Sequence, residues 1–360
     1  MDTTDFFSSN SYVFLPTENN PRVALVVDDA KTAQNAFKLY NPFSSKAKLL
    51  KKVSEMAFSH FNTVAKKVWS VPEKEKTDFV AYLEEKLGKS LVVSLYFATI
   101  NDKVVLQLQT TTAEIVGYVK YPLNEIGLIH LENEKKALEI LSDKKIIAPY
   151  LLADTFEGKP FILLEALDGE VGMVERYKLD EILSKFKRDS SNTLESETLV
   201  PNRARLKPSV PCSYRRLLRE HPRLVALEQS LHTADLTHYI PLLEKICKHS
   251  TQKYALVYEH GDFTPWNIVK VNDKYIPFDF EHFVEDGLEY FDLIKYYYQI
   301  GKLLENKKDV ELIGYISEQV NVMEINSLLK LFLIKEIIRN KEENEPYIFE
   351  VNMLETMEKL

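Results

Sequence analysis

The sequence predicts an α+β fold in two lobes: a small antiparallel-sheet lobe and a larger, mostly helical lobe, preceded by an N-terminal extension. Three observations carry this. A β-rich meander near residues 90–121 is followed by one helix and two further strands. Most of the chain beyond residue 170 has helical spacing. The chain has 360 residues, 45% apolar and 28% charged, which is enough for two domains with sizeable cores. The implied boundaries are an extension at 1–88, a sheet lobe at 89–168 and a helical lobe at 169–360 with a helical insert.

In chain order, the apolar run from Arg22 to Val27, ended by Asp28-Asp29, reads as a short strand. Residues 46–69 read as a helix whose buried stripe is Leu50, Val53, Ala57, Phe61, Val64 and Val68, with lysines on a solvated face. Ser90–Ile100, Lys103–Thr110 and Glu114–Tyr121 read as the three strands of the meander, with Asn101-Asp102 as a tight turn. A helix follows at Leu131–Leu141. Strands near Pro149–Ala153 and Pro160–Leu167 turn at Glu157-Gly158. The Ser-, Thr-, Asn- and Pro-rich stretch Asp189–Pro211 reads as a loop, and the arginines between Arg203 and Arg223 as surface charge around it. Two short strands, Tyr254–Tyr258 and Ile268–Val271, flank a polar loop, and a third runs Tyr275–Phe278. The chain from Leu288 on is helical in pattern, with Tyr296-Tyr-Tyr298 as core.

Composition excludes several classes. With 46 Lys+Arg against 54 Asp+Glu the formal net charge is −8, so no nucleic-acid partner is expected. Ten glycines are about 2.8% of the chain, against a usual ~7%, which counts against a glycine-rich dinucleotide fold. Cys212 and Cys247 form no CxxC pair or metal cluster and read as buried free thiols. No apolar run reaches the ~20 residues of a membrane span, and the N-terminus lacks a signal-peptide pattern. The expected location is cytoplasmic, and the sequence leaves the oligomeric state open.

One segment concentrates reactive side chains: His260-Gly-Asp262-Phe-Thr-Pro-Trp-Asn267, followed by Ile276-Pro-Phe-Asp279-Phe-Glu281. Phosphoryl transfer from a nucleotide requires a carboxylate at the acceptor hydroxyl, and an amide oxygen and a second carboxylate to hold Mg²⁺. An Asp and an Asn five apart, then an Asp at a strand end, supply that set.

HGDFTPWNI followed by PFDFE resembles the signature of the aminoglycoside phosphotransferase and choline kinase superfamily, which has a protein-kinase-like fold. The resemblance covers residues ~90–300 and implies an ATP- and Mg²⁺-dependent kinase acting on a hydroxyl of a small-molecule acceptor. It makes Asp262 the catalytic base, Asn267 and Asp279 the Mg²⁺ ligands, His260 a brace for the loop and Asp292 the later structural aspartate. In the sheet lobe it assigns Lys120, in Gly117-Tyr-Val-Lys120, to the ATP phosphates and Glu134 to pairing with that lysine. The hinge that reaches the adenine falls on Glu165, Ala166 and Leu167. The acceptor pocket is expected from residues 170–250 and 285–340, with a sugar or glycan precursor as acceptor. The chain departs from the pattern in lacking any G-x-G-x-x-G, so a phosphate cradle would come from Ala98–Asp102 with the Thr99 hydroxyl. A nucleotide-binding pseudokinase acting as a scaffold is the alternative; the complete Asp262, Asn267 and Asp279 set argues for the enzyme.

Overall fold

The computed structural model describes residues 3–39, 45–69, 71–97, 102–142, 147, 150–188 and 215–360. The chain divides into two compact units. The first comprises residues 1–142 and 148–168, and the second residues 143–147 and 169–360.

The first unit is built on one sheet. Its strands are β1 (Tyr12–Thr17) and β2 (Asn20–Val26), then β3 (Leu91–Phe97), β4 (Lys103–Thr110) and β5 (Ile115–Pro122), and finally β6 (Tyr150–Phe156) and β7 (Lys159–Glu165). The spatial order is β1-β2-β3-β4-β5-β7-β6, antiparallel throughout. Five helices complete the unit: α1 (Ala30–Ala36), α2 (Ser45–His60), α3 (Asn62–Val68), α4 (Asp78–Leu87) and α5 (Glu125–Leu141).

The period of two explains how β2 buries a continuous apolar run. Ala24 and Val26 join a core with Phe79, Val80 and Leu83 of α4. Val23, Leu25 and Val27 join a second core on the opposite face with Ala33, Phe37 and Phe58. Both faces are covered, so no polar alternation interrupts the strand. The first 88 residues therefore share sheet and core with the meander. Glu157 and Gly158, the expected turn between β6 and β7, both have positive φ (48° and 78°), the backbone such a two-residue hairpin requires.

Several readings need correction. Residues 46–69 form two helices rather than one, broken at Phe61. Their expected buried stripe faces outward: Val53, Phe61, Val64 and Val68 are exposed, and the inward positions are Ser54, Phe58 and Ala65. The fragment KLLKKVSEMAFSHF has two apolar faces, and the larger one is not the one the sheet covers. β1, α1 and α4 were not expected; Pro16 near the end of β1 weakens its strand signal.

The second unit begins with β8 (Glu170–Val171) and α6 (Arg176–Lys185), followed by β9 (Arg215–Leu217), α7 (Pro222–Thr233) and α8 (Ile240–His249). Strands β10 (Lys253–Glu259), β11 (Ile268–Val271), β12 (Lys274–Pro277) and β13 (Val284–Leu288) come next. Helices α9 (Phe291–Gln299), α10 (Asp309–Val320), α11 (Ile325–Glu342) and α12 (Ile348–Lys359) close the chain. Two small sheets form, β13-β10-β9 and β12-β11-β8. β13 falls just before the stretch read as wholly helical. α11 is buried along nearly its whole middle, from Leu328 to Ile338. Tyr296, Tyr297 and Tyr298 are buried, as a core reading requires.

The loop expected at Asp189–Pro211 and most of the basic stretch lie outside the described residues, as does Cys212. Of the remaining arginines, Arg215 pairs with Glu289, Arg219 with Glu220 and Arg223 with Glu259. Cys247 is a free thiol, half-buried rather than buried.

Candidate active site

In the first unit, period two fixes the direction of Lys120. Val119 and Tyr121 point into the core beneath α4, so Lys120 projects from the other face. There it meets α5, whose buried stripe is Leu131, Glu134, Leu138 and Leu141 at three- and four-residue steps. The Lys120 ammonium lies 2.6 Å from Glu134 Oε2, and both residues are buried. Glu132, two positions away, is exposed. Asn124 caps α5 by accepting a hydrogen bond from the Gly127 N–H at 3.0 Å, which fixes where the helix starts and hence the height of Glu134. The chain leaves β7 at exposed Glu165; Ala166 and Leu167 are partly buried, and the boundary between the units follows at 168/169. Residues 98–101, most of the expected phosphate cradle, lie outside the described residues.

In the second unit the HGD segment turns sharply after β10. Gly261 has φ +80°, and a Cβ there would sit 2.2 Å from the His282 carbonyl oxygen, so only glycine fits. Asp292, in the first turn of α9, accepts hydrogen bonds from the His260 N–H (2.8 Å) and the Gly261 N–H (2.9 Å). Burial and neighbouring Glu259 push the Asp292 carboxyl up to about 7, while those two N–H donors act against them. His260 is fully buried. Its Nε2–H donates to the Phe278 carbonyl (3.0 Å), which leaves Nδ1 to accept the Asp262 N–H (3.4 Å). Burial lowers the His260 pKa, consistent with a neutral ring bridging two loops.

The β11–β12 hairpin brings the other polar residues together. Ile268 pairs with Pro277, and the Phe278 N–H donates to the Asn267 carbonyl at 3.0 Å. Asp279 therefore begins one residue beyond Asn267's cross-strand partner. It has φ +69°, a conformation uncommon for a side chain with a Cβ. The Asn267 Nδ2 group donates to both the Asp262 carbonyl and Asp262 Oδ2, each at 2.9 Å. This turns the amide oxygen of Asn267 away from Asp262.

Two cations that the sequence reading missed flank Asp262, and a buried glutamate holds them both. Lys295 of α9, with no exposed side-chain surface, places its ammonium 3.1 Å from Asp262 Oδ1 and 2.7 Å from Glu336 Oε2. Arg339 of α11 lies 3.5 Å from Asp262 Oδ1 and 2.8 Å from Glu336. The network continues through Lys335, which meets Glu336 at 3.3 Å and Glu259 at 3.2 Å, to Arg223 at 3.2 Å from Glu259. Burial raises the Asp262 pKa, but Lys295 and Arg339 outweigh it and hold the carboxyl at about 2. Burial likewise opposes charge on Glu336, and Arg339, Lys295 and Lys335 hold it well below the usual carboxylate range. Their signal in the sequence was present but diffuse: Lys335, Glu336 and Arg339 interrupt a helix apolar on all sides, where charge must be paired.

Asp262 is thus an ionised carboxylate, a quarter exposed, held by one amide and facing two cations. Asn267, just before β11, and Asp279, just after β12, offer neutral and anionic oxygens and no thiolate, the donor set that suits a hard divalent cation such as Mg²⁺.

No protein-family model matches the sequence, and no curated protein does. Among solved structures the chain is similar to an apo thermostable mutant of aminoglycoside phosphotransferase APH(4)-Ia, with TM-score 0.47, 9% identity, and coverage of 78% of this chain and 97% of that one. It is similar to macrolide 2′-phosphotransferase MphH from Brachybacterium faecium, with TM-score 0.46, 11% identity, and coverage of 78% and 98%. It is also similar to a Plasmodium vivax ethanolamine kinase, with TM-score 0.39, 13% identity, and 95% of each chain covered. At these identities no substrate carries over from any of them.

Proposed function

We propose that the chain is an ATP-dependent phosphotransferase that phosphorylates a hydroxyl of a small acceptor. The observation that carries this is Asp262: an ionised, partly exposed carboxylate anchored by Asn267, on a loop that the β11–β12 hairpin joins to Asp279. Sugars and amino alcohols are the acceptor class to try first. The cytoplasm is the matching location, since it supplies the nucleotide.

The chemistry follows from the residues. Asp262 is too weak a base to remove an alcohol proton early. In a loose phosphoryl-transfer transition state the proton leaves late, so an ionised carboxylate serves first to aim the hydroxyl and then to take its proton. The acceptor O–H bond and the bond from the γ-phosphorus to its bridging oxygen break, the new oxygen–phosphorus bond forms, and the proton ends on an Asp262 oxygen. Lys295 and Arg339 fix the carboxylate in place and keep it charged. Lys120, steadied by Glu134, is assigned to the ATP phosphates, and the backbone of Glu165, Ala166 and Leu167 to the adenine. Asn267 and Asp279 would hold Mg²⁺, which supplies charge neutralisation at the phosphates when bound.

Two measurements test this. Release of ADP across a panel of sugars and amino alcohols identifies an acceptor, and Asp262→Asn then lowers turnover by about 10²–10⁴-fold with the fold intact. Turnover at wild-type level in that variant overturns the assignment. Mg-ATP raises the melting temperature of the wild type by mass action, and Asp279→Ala loses the Mg²⁺-dependent part of that rise. An equal rise in both proteins removes Asp279 from the metal site.

A further inference from the structure

The span Lys48–Trp69 carries five lysines and one glutamate in a chain whose formal net charge is −8. Six of its apolar side chains do not serve the core. Leu49, Val53 and Met56 of α2, and Phe61 at the N-cap of α3 with its Val64 and Val68, are between 49% and 68% exposed. On each helix these positions recur at three- and four-residue steps and so lie along one face. Single exposed apolar residues are ordinary, but six within twenty residues are a patch that needs a partner. Lys48 and Lys52 lie along the same side of α2, and Lys67 follows on α3; all three are exposed. The inward positions of these helices, Ser54, Phe58 and Ala65, are already buried.

We infer that α2 and α3 dock on a lipid bilayer surface bearing anionic head groups. The match is one of charge and shape: an outward apolar face places valine, leucine and phenylalanine at the acyl boundary, while lysines beside it reach phosphate. A second copy of the chain fits poorly, because a two-fold pairing of this face sets lysines against lysines with a single glutamate to offset them. Insertion across the bilayer is not implied, since no helix among the described residues is long and apolar enough to span one. The inference does not depend on the phosphotransfer reading.

The test is co-sedimentation of the full-length chain with two kinds of vesicle: phosphatidylcholine alone, and phosphatidylcholine with about a quarter phosphatidylglycerol. The chain is expected to sediment with the anionic vesicles, much less with the neutral ones, and progressively less as salt rises. A triple variant, Lys48→Glu, Lys52→Glu and Lys67→Glu, weakens binding about a hundredfold. A second variant, Val53→Ser, Phe61→Ser and Val64→Ser, weakens it about tenfold or more. All the altered side chains are exposed, so both variants keep the wild-type melting temperature, which is measured alongside. Absence of sedimentation overturns the inference, as do equal binding to both vesicle types and binding unchanged in both variants. A wild-type dimer that Phe61→Ser dissociates, with no vesicle binding, overturns it in favour of self-association.

Discussion

Lys295 shows how one residue can govern the candidate site without belonging to its motif. Its ammonium is fully buried and lies between Glu336 and Asp262. Burial and the Arg339 charge push its pKa down, and the two carboxylates work to keep the proton on. Replacing it by methionine keeps the volume and removes the charge. Asp262 would then be left with Arg339, and Glu336 with Arg339 and Lys335; breaking a buried ion pair costs about 3–5 kcal/mol. Lys295→Met is therefore expected to lower the melting temperature clearly in a thermal unfolding scan, and a variant as stable as wild type would show that Arg339 and Lys335 suffice. The residue also marks where sequence reading stopped. Asp262, Asn267 and Asp279 could be picked out as candidates because local spacing along one loop and hairpin sets their placement. Lys295 and Arg339 come from separate helices, and nothing in the chain announces that α9 and α11 aim them at Asp262.

At the scale of elements, period decided what could be read. The strands β3, β4 and β5 are rich in β-branched and aromatic residues and bounded by polar breaks, enough to be placed within a few residues. β11 matches its expected span, Ile268–Val271, because polar turns bound it on both sides. The α2–α3 stretch failed for the converse reason: apolar periodicity shows that a face exists, not which neighbour covers it. Caps were less visible, and α7 has one with a consequence for pH. His221 sits at its N-cap, with Nδ1 accepting the Arg223 N–H at 3.3 Å. Burial lowers the pKa of this histidine to about 4, against the ordinary 6.5. The unfolded chain therefore binds a proton that the folded chain refuses, so stability is complete above pH 6.5 and falls as pH drops toward 4. The loss attributable to His221 is up to about 3 kcal/mol, and buried His260, also lowered, adds in the same direction. His221→Asn keeps a good capping side chain that does not titrate. Denaturant melts of this variant between pH 7 and pH 4 should give a shallower fall than wild type; parallel profiles would assign the acid sensitivity elsewhere.

At the scale of the whole molecule, the chain's first 88 residues decide whether its sheet can stand. They read in sequence as an extension ahead of a self-sufficient lobe. In the structure β2 pairs with β3, and the two cores that cover the sheet both draw on this segment. Phe6, Phe79, Val80 and Leu83 lie against Val93, Leu95, Leu106 and Val119, while Phe37 and Phe58 lie on the other face with Val23 and Leu25. Each fully buried side chain of this size contributes about 1.5–3 kcal/mol. Removing the four that cover β3 to β5 thus forfeits roughly 6–12 kcal/mol, comparable with the whole stability of an ordinary domain, about 5–15 kcal/mol. It would also leave β3 as a bare hydrophobic edge, open to pairing between chains. A chain beginning at residue 89 is therefore expected to be insoluble, or to show no cooperative thermal transition. A soluble truncated protein that melts cooperatively and still gains stability from Mg-ATP would mean that the segment is an appendage after all. Lys120, on β5 of the same sheet, depends on that sheet for its position, so the candidate nucleotide contact would be lost together with the fold.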